Sequence, residues 1–276
     1  MPERKLEISR RSPATIGGTL SVLGRLAEAL KVDSRVWGMS TSVAVVVGAA
    51  PLVAGLLIVS TMRSVSLFDW LTRENSLLES SQFVALVTAT CVLLWIGLHL
   101  VRRRRAALGL AYLLLALAAF FVAGEEISWG QTIFQWEGSD WLTRGNYQGE
   151  TNLHTGVAHG PTVYGFVLIA AYGTLVPLLS PHLGKRRTPV TYLLVPPLAL
   201  VPAFFISFAY RLVRTAFNPE ERLPRYALQI VEFAEFAELS LYFAVLVVAI
   251  LTWRLCVPRS ARMRPSRAPK MTTEPG

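Results

Sequence analysis

The sequence predicts an all-α, polytopic membrane helix bundle with six transmembrane helices and with both termini in the cytoplasm. Of its 276 residues, 53% are hydrophobic and only 16% are charged, and the mean hydropathy is +0.44. A soluble domain usually has about 25% charged residues. Six apolar stretches each reach the roughly 20 residues that a helix needs to cross the hydrocarbon core. Basic residues concentrate in alternate connections between these stretches, as the positive-inside rule requires.

The predicted spans follow one another with short connections. They cover 39–61, 77–101, 106–128, 161–183, 190–212 and 227–253. They divide the chain into a basic cytoplasmic arm at 1–38, a membrane domain at 39–255, and a basic, disordered cytoplasmic tail at 256–276. Within the arm, the apolar spacing of 18–32 is typical of a helix that lies in the membrane interface.

The distribution of the 27 lysines and arginines sets the predicted orientation. Most of them lie in the N-terminal arm, the Arg102–Arg105 loop, the 185–187 loop and the C-terminal tail, which share one side of the six-span topology. That side is therefore predicted to be cytoplasmic, and the protein is predicted to be a multi-pass protein of the plasma membrane. The net charge of +9 follows from this placement, so no nucleic-acid partner is predicted.

Acidic residues show the opposite asymmetry, which the insertion rule does not select. Glu79 begins span 2, Glu125 and Glu126 end span 3, and Glu232, Glu235 and Glu238 begin span 6, so all are predicted at the outer end of the bundle. Ionisable residues inside spans are candidates for function. For Glu79 and Glu232 a simpler account stays open, because a helix N-terminus favours an anion.

The segment AGEEISWGQ at 123–131 contains the two glutamates that are hardest to explain. A helix ending there would place anions at its C-terminus, which is the unfavourable end of the helix dipole. We therefore expect the helix to continue through ISWGQTIFQW, which would put Glu125 and Ser128 on one face and Glu126 and Trp129 on the next. Adjacent helical residues point about 100° apart, so only one of the two glutamates can face the bundle centre.

The third and fifth loops add polar side chains near the same end. The third loop contains His154 and His159, and carboxylates together with histidine suit zinc, iron or manganese. Arg211 and Arg214 are three residues apart, and they can hold a phosphate or pair with the glutamates of span 6, of which we favour the pairing. The candidate catalytic residues are Glu125, Glu126, Ser128 and Glu79; the candidate metal ligands are His154, Glu235 and Glu232; the candidate substrate-binding residues are Arg211, Arg214, Asn152 and Gln131.

Three segments carry a resemblance to a known family. RENSLLE at 73–79, AGEEISWGQ at 123–131 and QGETNLH at 148–154 resemble the R-E-D-G-x-x-E, A-G-E-E-I-S-W-G-Q and Q-G-E-T-N-L-H segments of a family of bacterial multi-span membrane proteins. The first segment departs from that pattern at Asn75 and Ser76. The resemblance implies no activity, but it implies one shared site, formed by Glu79, Glu125, Glu126, Glu150, Asn152 and His154.

A second comparison concerns the class of mechanism only. The alkaline ceramidase and adiponectin-receptor superfamily consists of seven-span proteins that hold zinc with three histidines. This chain has six predicted spans and two histidines in its predicted outer loops, so the two differ in both respects.

Three functions fit these observations. The first is a metal-dependent hydrolase or transferase that acts on a lipid or lipid-linked substrate at an outward-facing Glu/His pocket, among membrane lipids. The second is a proton- or cation-coupled transporter that uses the carboxylates as a relay. The third is a non-catalytic membrane subunit that binds a protein partner or a second copy of itself through its polar residues. Convergence of the carboxylates in space would favour the first.

Overall fold

The computed structural model describes residues 22–72, 76–134, 159–180 and 193–256, and these residues form helices and no strand. Six helical segments in them are long and apolar enough to cross a membrane, which confirms the predicted all-α polytopic bundle. The helices are α1 Val22–Val36, α2 Thr41–Thr61, α3 Val65–Thr72, α4 Leu77–Arg102, α5 Ala106–Glu126, α6 Gln131–Phe134, α7 His159–Leu179, α8 Val201–Phe217, α9 Pro219–Arg222 and α10 Ala227–Cys256.

Helix directions give the bundle two chemically different ends. The first, which we call the carboxylate end, is where α5 and α8 end and where α4 and α10 begin, beside the short helix α3. The opposite end, which we call the basic end, contains α1 and the turn Arg102–Arg105 between α4 and α5. The placement of the carboxylate end outside the cell remains a prediction from the positive-inside rule.

Helix α4 joins α5 and α10 in the centre of the bundle, and α8 joins α7, α2 and α10. Small residues permit the close approach of α4 to α5, as is common between membrane helices. A Cβ atom added at Gly97 would lie 2.7 Å from the Leu113 side chain, and one added at Gly109 would lie 2.5 Å from Val101. Ile96 on α4 and Leu241 on α10 are among the most deeply buried apolar side chains of the resulting core.

The fifth span differs from its predicted course. Span 5 is predicted at 190–212, but the spanning helical segment is Leu198–Phe217. Pro197 has an extended backbone just before this segment, and Pro202 lies in the first turn of α8. A proline in the first turn removes no helical hydrogen bond, so Pro202 does not interrupt α8.

The helix predicted at 18–32 is observed as α1, beginning within that range and ending at Val36, and its location in the membrane interface stays a prediction. Its buried Asp33 accepts a 2.7 Å hydrogen bond from the backbone N–H of Leu198. Leu198 begins the helical segment that leads into α8. The contact therefore ties the chain before span 1 to the start of span 5 at the basic end.

Candidate functional site at the carboxylate end

Helix α5 ends at Glu126, and the chain then turns sharply within the AGEEISWGQ segment. Ser128, Trp129 and Gly130 all have positive φ angles, of 46°, 55° and 89°. Side chains other than glycine rarely adopt this left-handed region, and such residues cluster at functional sites. The prediction that the helix continues unbroken through 127–136 is wrong, because α5 ends at Glu126 and a left-handed turn separates it from α6.

The left-handed turn folds Trp129 back onto the end of α5. Its indole N–H donates to Oε1 of Glu125 at 2.5 Å, and its ring meets those of Phe120 and Phe121 with centroids 6.2 and 5.5 Å apart. A Cβ atom added at Gly124 would lie 2.8 Å from the indole ring. Gly124, Glu125 and Trp129 of the segment thus form one local unit with the two phenylalanines, and Glu125 within it is only 3% exposed.

Glu126 points away from this unit and reaches α10. The hydroxyl of Tyr242 donates to its Oε1 at 2.9 Å, and Tyr242 is almost completely buried. The carboxylates that act on Glu126 electrostatically are Glu238, Glu235 and Glu79. The two adjacent glutamates therefore point in different directions, as predicted from the rotation of about 100° per helical residue. Glu125 is bound within its own turn, and Glu126 is directed to a neighbouring helix.

Each of the three glutamates near the start of α10 contacts a different helix. Glu232 accepts from the Thr72 hydroxyl of α3 at 2.8 Å, and Glu238 lies 2.5 Å from the Arg211 guanidinium of α8. Glu235 accepts from Nε2 of Gln82 on α4 at 3.1 Å. The carboxylates of α10 are therefore bound by side chains of α3, α4 and α8 at one end of the bundle.

The Arg211–Glu238 pair confirms the predicted pairing between span 5 and span 6. Arg211 is 8% exposed, and its guanidinium carbon lies 4.5 Å from the centroid of the Phe166 ring. Phe166 also meets the Tyr242 ring edge-on at 6.0 Å. One aromatic ring thus connects the Arg211–Glu238 pair with the Tyr242–Glu126 pair.

Arg214 does not pair with span 6, so that part of the pairing prediction is wrong. Its Nε lies 3.1 Å from Glu220 on α9, and its Nη1 lies 3.4 Å from the Tyr210 hydroxyl. Tyr210 in turn donates to the carbonyl of Ile230 at 2.9 Å. Arg214 therefore fastens the connection between α8 and α10.

Gln82 is a member of the cluster that the sequence prediction missed. It is fully buried, and its Nε2 donates both to the Glu235 carboxylate and, at 2.7 Å, to the Glu235 carbonyl. Among the residues that the structure describes, its Oε1 is buried without a hydrogen-bond partner. The signal was present in the sequence, because Gln82 follows Glu79 by three residues and so shares its helix face.

An apolar cavity of about 360 Å³ extends from this cluster toward the basic end. Tyr242 and Phe166 line it next to the carboxylates, and Tyr112 and Leu193 line its other part. The Tyr112 hydroxyl donates to the Leu193 carbonyl, so that end carries a satisfied polar contact. Leu115 on α5 is 50% exposed, as is expected where a cavity opens between helices on the lipid-facing surface.

The remaining predicted residues fall into two groups. Ser128 is buried in the left-handed turn, and Gln131 begins α6. His154, Asn152 and Glu150 lie outside the described residues, as does the side chain of His159. Within the described ranges, no three His, Cys, Asp or Glu side chains are placed to hold a metal ion. The metal site with His154, Glu232 and Glu235 stays a prediction.

No protein-family model, curated protein or solved structure matches this chain.

Proposed function

We propose that this integral membrane protein binds a lipid or lipid-linked amphiphile and acts on it, as a hydrolase or transferase, at an outward-facing carboxylate cluster. The observation that supports this proposal is the continuity between the apolar cavity and the carboxylates. Tyr242 belongs to both, since its ring lines the cavity and its hydroxyl binds Glu126. An amphiphile has the same division into an apolar and a polar part.

The size and position of the cavity suit a hydrocarbon chain. Its volume of about 360 Å³ lies within the range of roughly 300–1,000 Å³ that is usual for small-molecule sites. Its lining residues come from both α5 and α7, including the half-exposed Leu115 and Ile169. A chain already dissolved in the bilayer would enter sideways between these two helices, and its polar group would then meet Glu126.

Glu126 is the residue that we expect to transfer a proton. Its Oε1 is held by Tyr242, which fixes the carboxyl group and leaves Oε2 for a reacting group. A carboxyl in a water-poor site can act as general acid or base when it lies within hydrogen-bond reach of the substrate. Tyr242 is then a positioning residue, and the Arg211–Glu238 pair orients the polar part of the amphiphile from the other side of Phe166.

The transporter alternative has less support. A relay across the membrane needs polar groups in both halves of the bundle, but α10 is apolar from Phe243 to Leu251. The carboxylates of α4, α5 and α10 all lie at one end. This placement favours a binding site with one polar end over a path across the membrane.

A variant that blocks the cavity with a larger side chain tests the proposal. Full-length protein in nanodiscs would be photolabelled with a diazirine-bearing fatty alcohol, and the labelled peptides would be mapped by mass spectrometry. We expect labelling of α5 and α7 around Leu115 and Ile169, and we expect Leu115→Trp to abolish most of it. Leu117→Trp is the matched control, because Leu117 lies on the same helix, is 63% exposed and does not line the cavity. Equal labelling of both variants would refute the proposal.

A further inference from the structure

We propose that the amphiphile carries a protonated amine, which binds between Glu126 and Glu235 with the amide oxygen of Gln82 as a third acceptor. This inference rests on the proposed function, because it names the chemical class of the molecule in the cavity. Three independent observations support it: the charge balance of the cluster, an unsatisfied acceptor inside it, and its position relative to the cavity.

Among the described residues, two carboxylates of the cluster have no counter-charge. Glu126 is held by a neutral tyrosine and Glu235 by a neutral amide, and neither has an ion pair there. Arg211, which contacts the cluster from α8, is already bound to Glu238. Charges of one sign in a low-dielectric site repel strongly, so a bound cation would stabilise this arrangement.

The unsatisfied acceptor is Oε1 of Gln82. Gln82 cannot be turned over, because its Nε2 faces two oxygens of Glu235 and an amide oxygen in that place would be repelled. The oxygen is therefore fixed beside the Glu235 carboxylate, where it is buried and has no donor within the described parts of the chain. A buried acceptor without a donor is destabilising. A primary ammonium has three N–H donors, which matches the two carboxylates and this one amide oxygen.

The carboxylates lie next to the apolar cavity, so one molecule can place an amine at the first and a hydrocarbon chain in the second. Tyr242 binds Glu126 and lines the cavity, and Phe166 lines it one ring contact away. Aromatic rings near a cation add to its binding. An ammonium at the carboxylates would thus leave an attached chain directed into the apolar cavity.

In a membrane, the polar group of the amphiphile determines which amphiphile the site prefers. Lipid tails are as apolar as the leucine and alanine side chains that line the cavity, so a chain gains little by moving from the bilayer into it. Discrimination between one amphiphile and another must come from the polar end. Uncompensated carboxylates there repel an anionic headgroup and attract a cationic one.

The experiment compares three amphiphiles that share a twelve-carbon chain and differ in the polar group: dodecylamine, dodecyltrimethylammonium and dodecanol. Each would be titrated into full-length protein in phosphatidylcholine nanodiscs, with the rise in unfolding temperature as the readout. We expect dodecylamine to bind at least about tenfold more tightly than dodecanol, which is the lower range for hydrogen bonds to charged groups. Dodecyltrimethylammonium, which has charge but no N–H, should fall between them.

The matched variants separate the site from general effects of charge. Glu126→Gln combined with Glu235→Gln should remove the preference for the amine while binding of dodecanol persists. Glu221→Gln should leave the preference intact, since Glu221 is an exposed carboxylate on α9 near the same end. An equal loss in both variants would overturn the assignment.

The other outcomes distinguish this inference from the function on which it rests. Equal binding of dodecylamine and dodecanol would overturn the amine site and leave the amphiphile cavity intact. Absence of binding by all three would overturn the proposed function itself. Stabilisation by Mn²⁺ or Zn²⁺ alone, lost in Glu235→Gln, would overturn the amine site in favour of a metal. Competition by phosphatidylethanolamine added to the nanodisc would identify an aminophospholipid as the source of the amine; its failure to compete would identify a single-chain amine.

Discussion

Trp129 donates its indole N–H to the carboxylate of Glu125, four residues earlier, across a turn that has left-handed backbone at Ser128, Trp129 and Gly130. In an unbroken helix, residues i and i+4 share a face. Here the helix ends at Glu126, and the left-handed turn returns the Trp129 ring to the Glu125 side chain. The contact both covers the end of α5 and fixes one of its two carboxylates. It also leaves Glu126 as the carboxylate that faces the rest of the cluster.

The first prediction concerns the surface on which the Trp129 ring lies. Gly124→Ala would place a methyl group 2.8 Å from that ring, so the ring must shift and the hydrogen bond to Glu125 must weaken. We expect a loss of stability of about 1–3 kcal/mol, as for other overpacked sites, measured by unfolding in mixed micelles. Gly165→Ala is the control, because a Cβ atom there meets nothing within 4 Å and should be neutral or stabilising by up to about 1 kcal/mol.

A second prediction isolates the hydrogen bond from the packing. Trp129→Phe keeps an aromatic ring on Gly124 and removes the N–H donor to Glu125. Loss of a donor to a buried charged acceptor should cost about 1–3 kcal/mol in the same unfolding measurement. Trp70→Phe is the comparison, because Trp70 is 65% exposed. Similar effects in the two variants would show that the indole N–H does not stabilise Glu125.

The sequence predicted the bundle and the level of the carboxylates because both depend on patterns along single helices. The length of the apolar stretches predicts six spans, and the three-residue spacing of Glu232, Glu235 and Glu238 predicts that they follow one side of span 6. It did not predict which side chain meets which, since Gln82 and Tyr242 acquire their roles only when α4, α5 and α10 pack together. It also missed the end of α5, because positive φ at Ser128 and Trp129 contradicts the local preference of both residues.

A third prediction concerns the Arg211–Glu238 pair. Both side chains are mostly buried, at 9% and 16% exposure, so removal of one partner leaves a charge without its counter-charge. Arg211→Met or Glu238→Leu alone should cost about 3–5 kcal/mol, and the double variant should cost less than either single change. The double-mutant cycle in mixed micelles measures this coupling directly.

The control for that cycle is an exposed pair on α1. Lys31 and Glu28 lie 3.7 Å apart with side chains 45% and 61% exposed, and such helix pairs contribute only about 0.3–0.5 kcal/mol. Additive costs at Arg211 and Glu238, resembling those of the α1 pair, would mean that the ion pair is not what holds α8 to α10.

The last prediction tests whether Tyr242 and Glu126 act together across α5 and α10. Tyr242→Phe removes the hydroxyl that donates to Glu126 and keeps the ring against Phe166. The buried carboxyl then lacks its donor, which should cost about 1–3 kcal/mol. Combination with Glu126→Gln should show a coupling energy of about 0.5–3 kcal/mol, as expected for residues in direct contact. Tyr164→Phe, at a tyrosine that is 69% exposed, should show neither effect. Strictly additive changes at Tyr242 and Glu126 would mean that the hydroxyl does not position the carboxyl group, and the role of Glu126 in proton transfer would lose its structural basis.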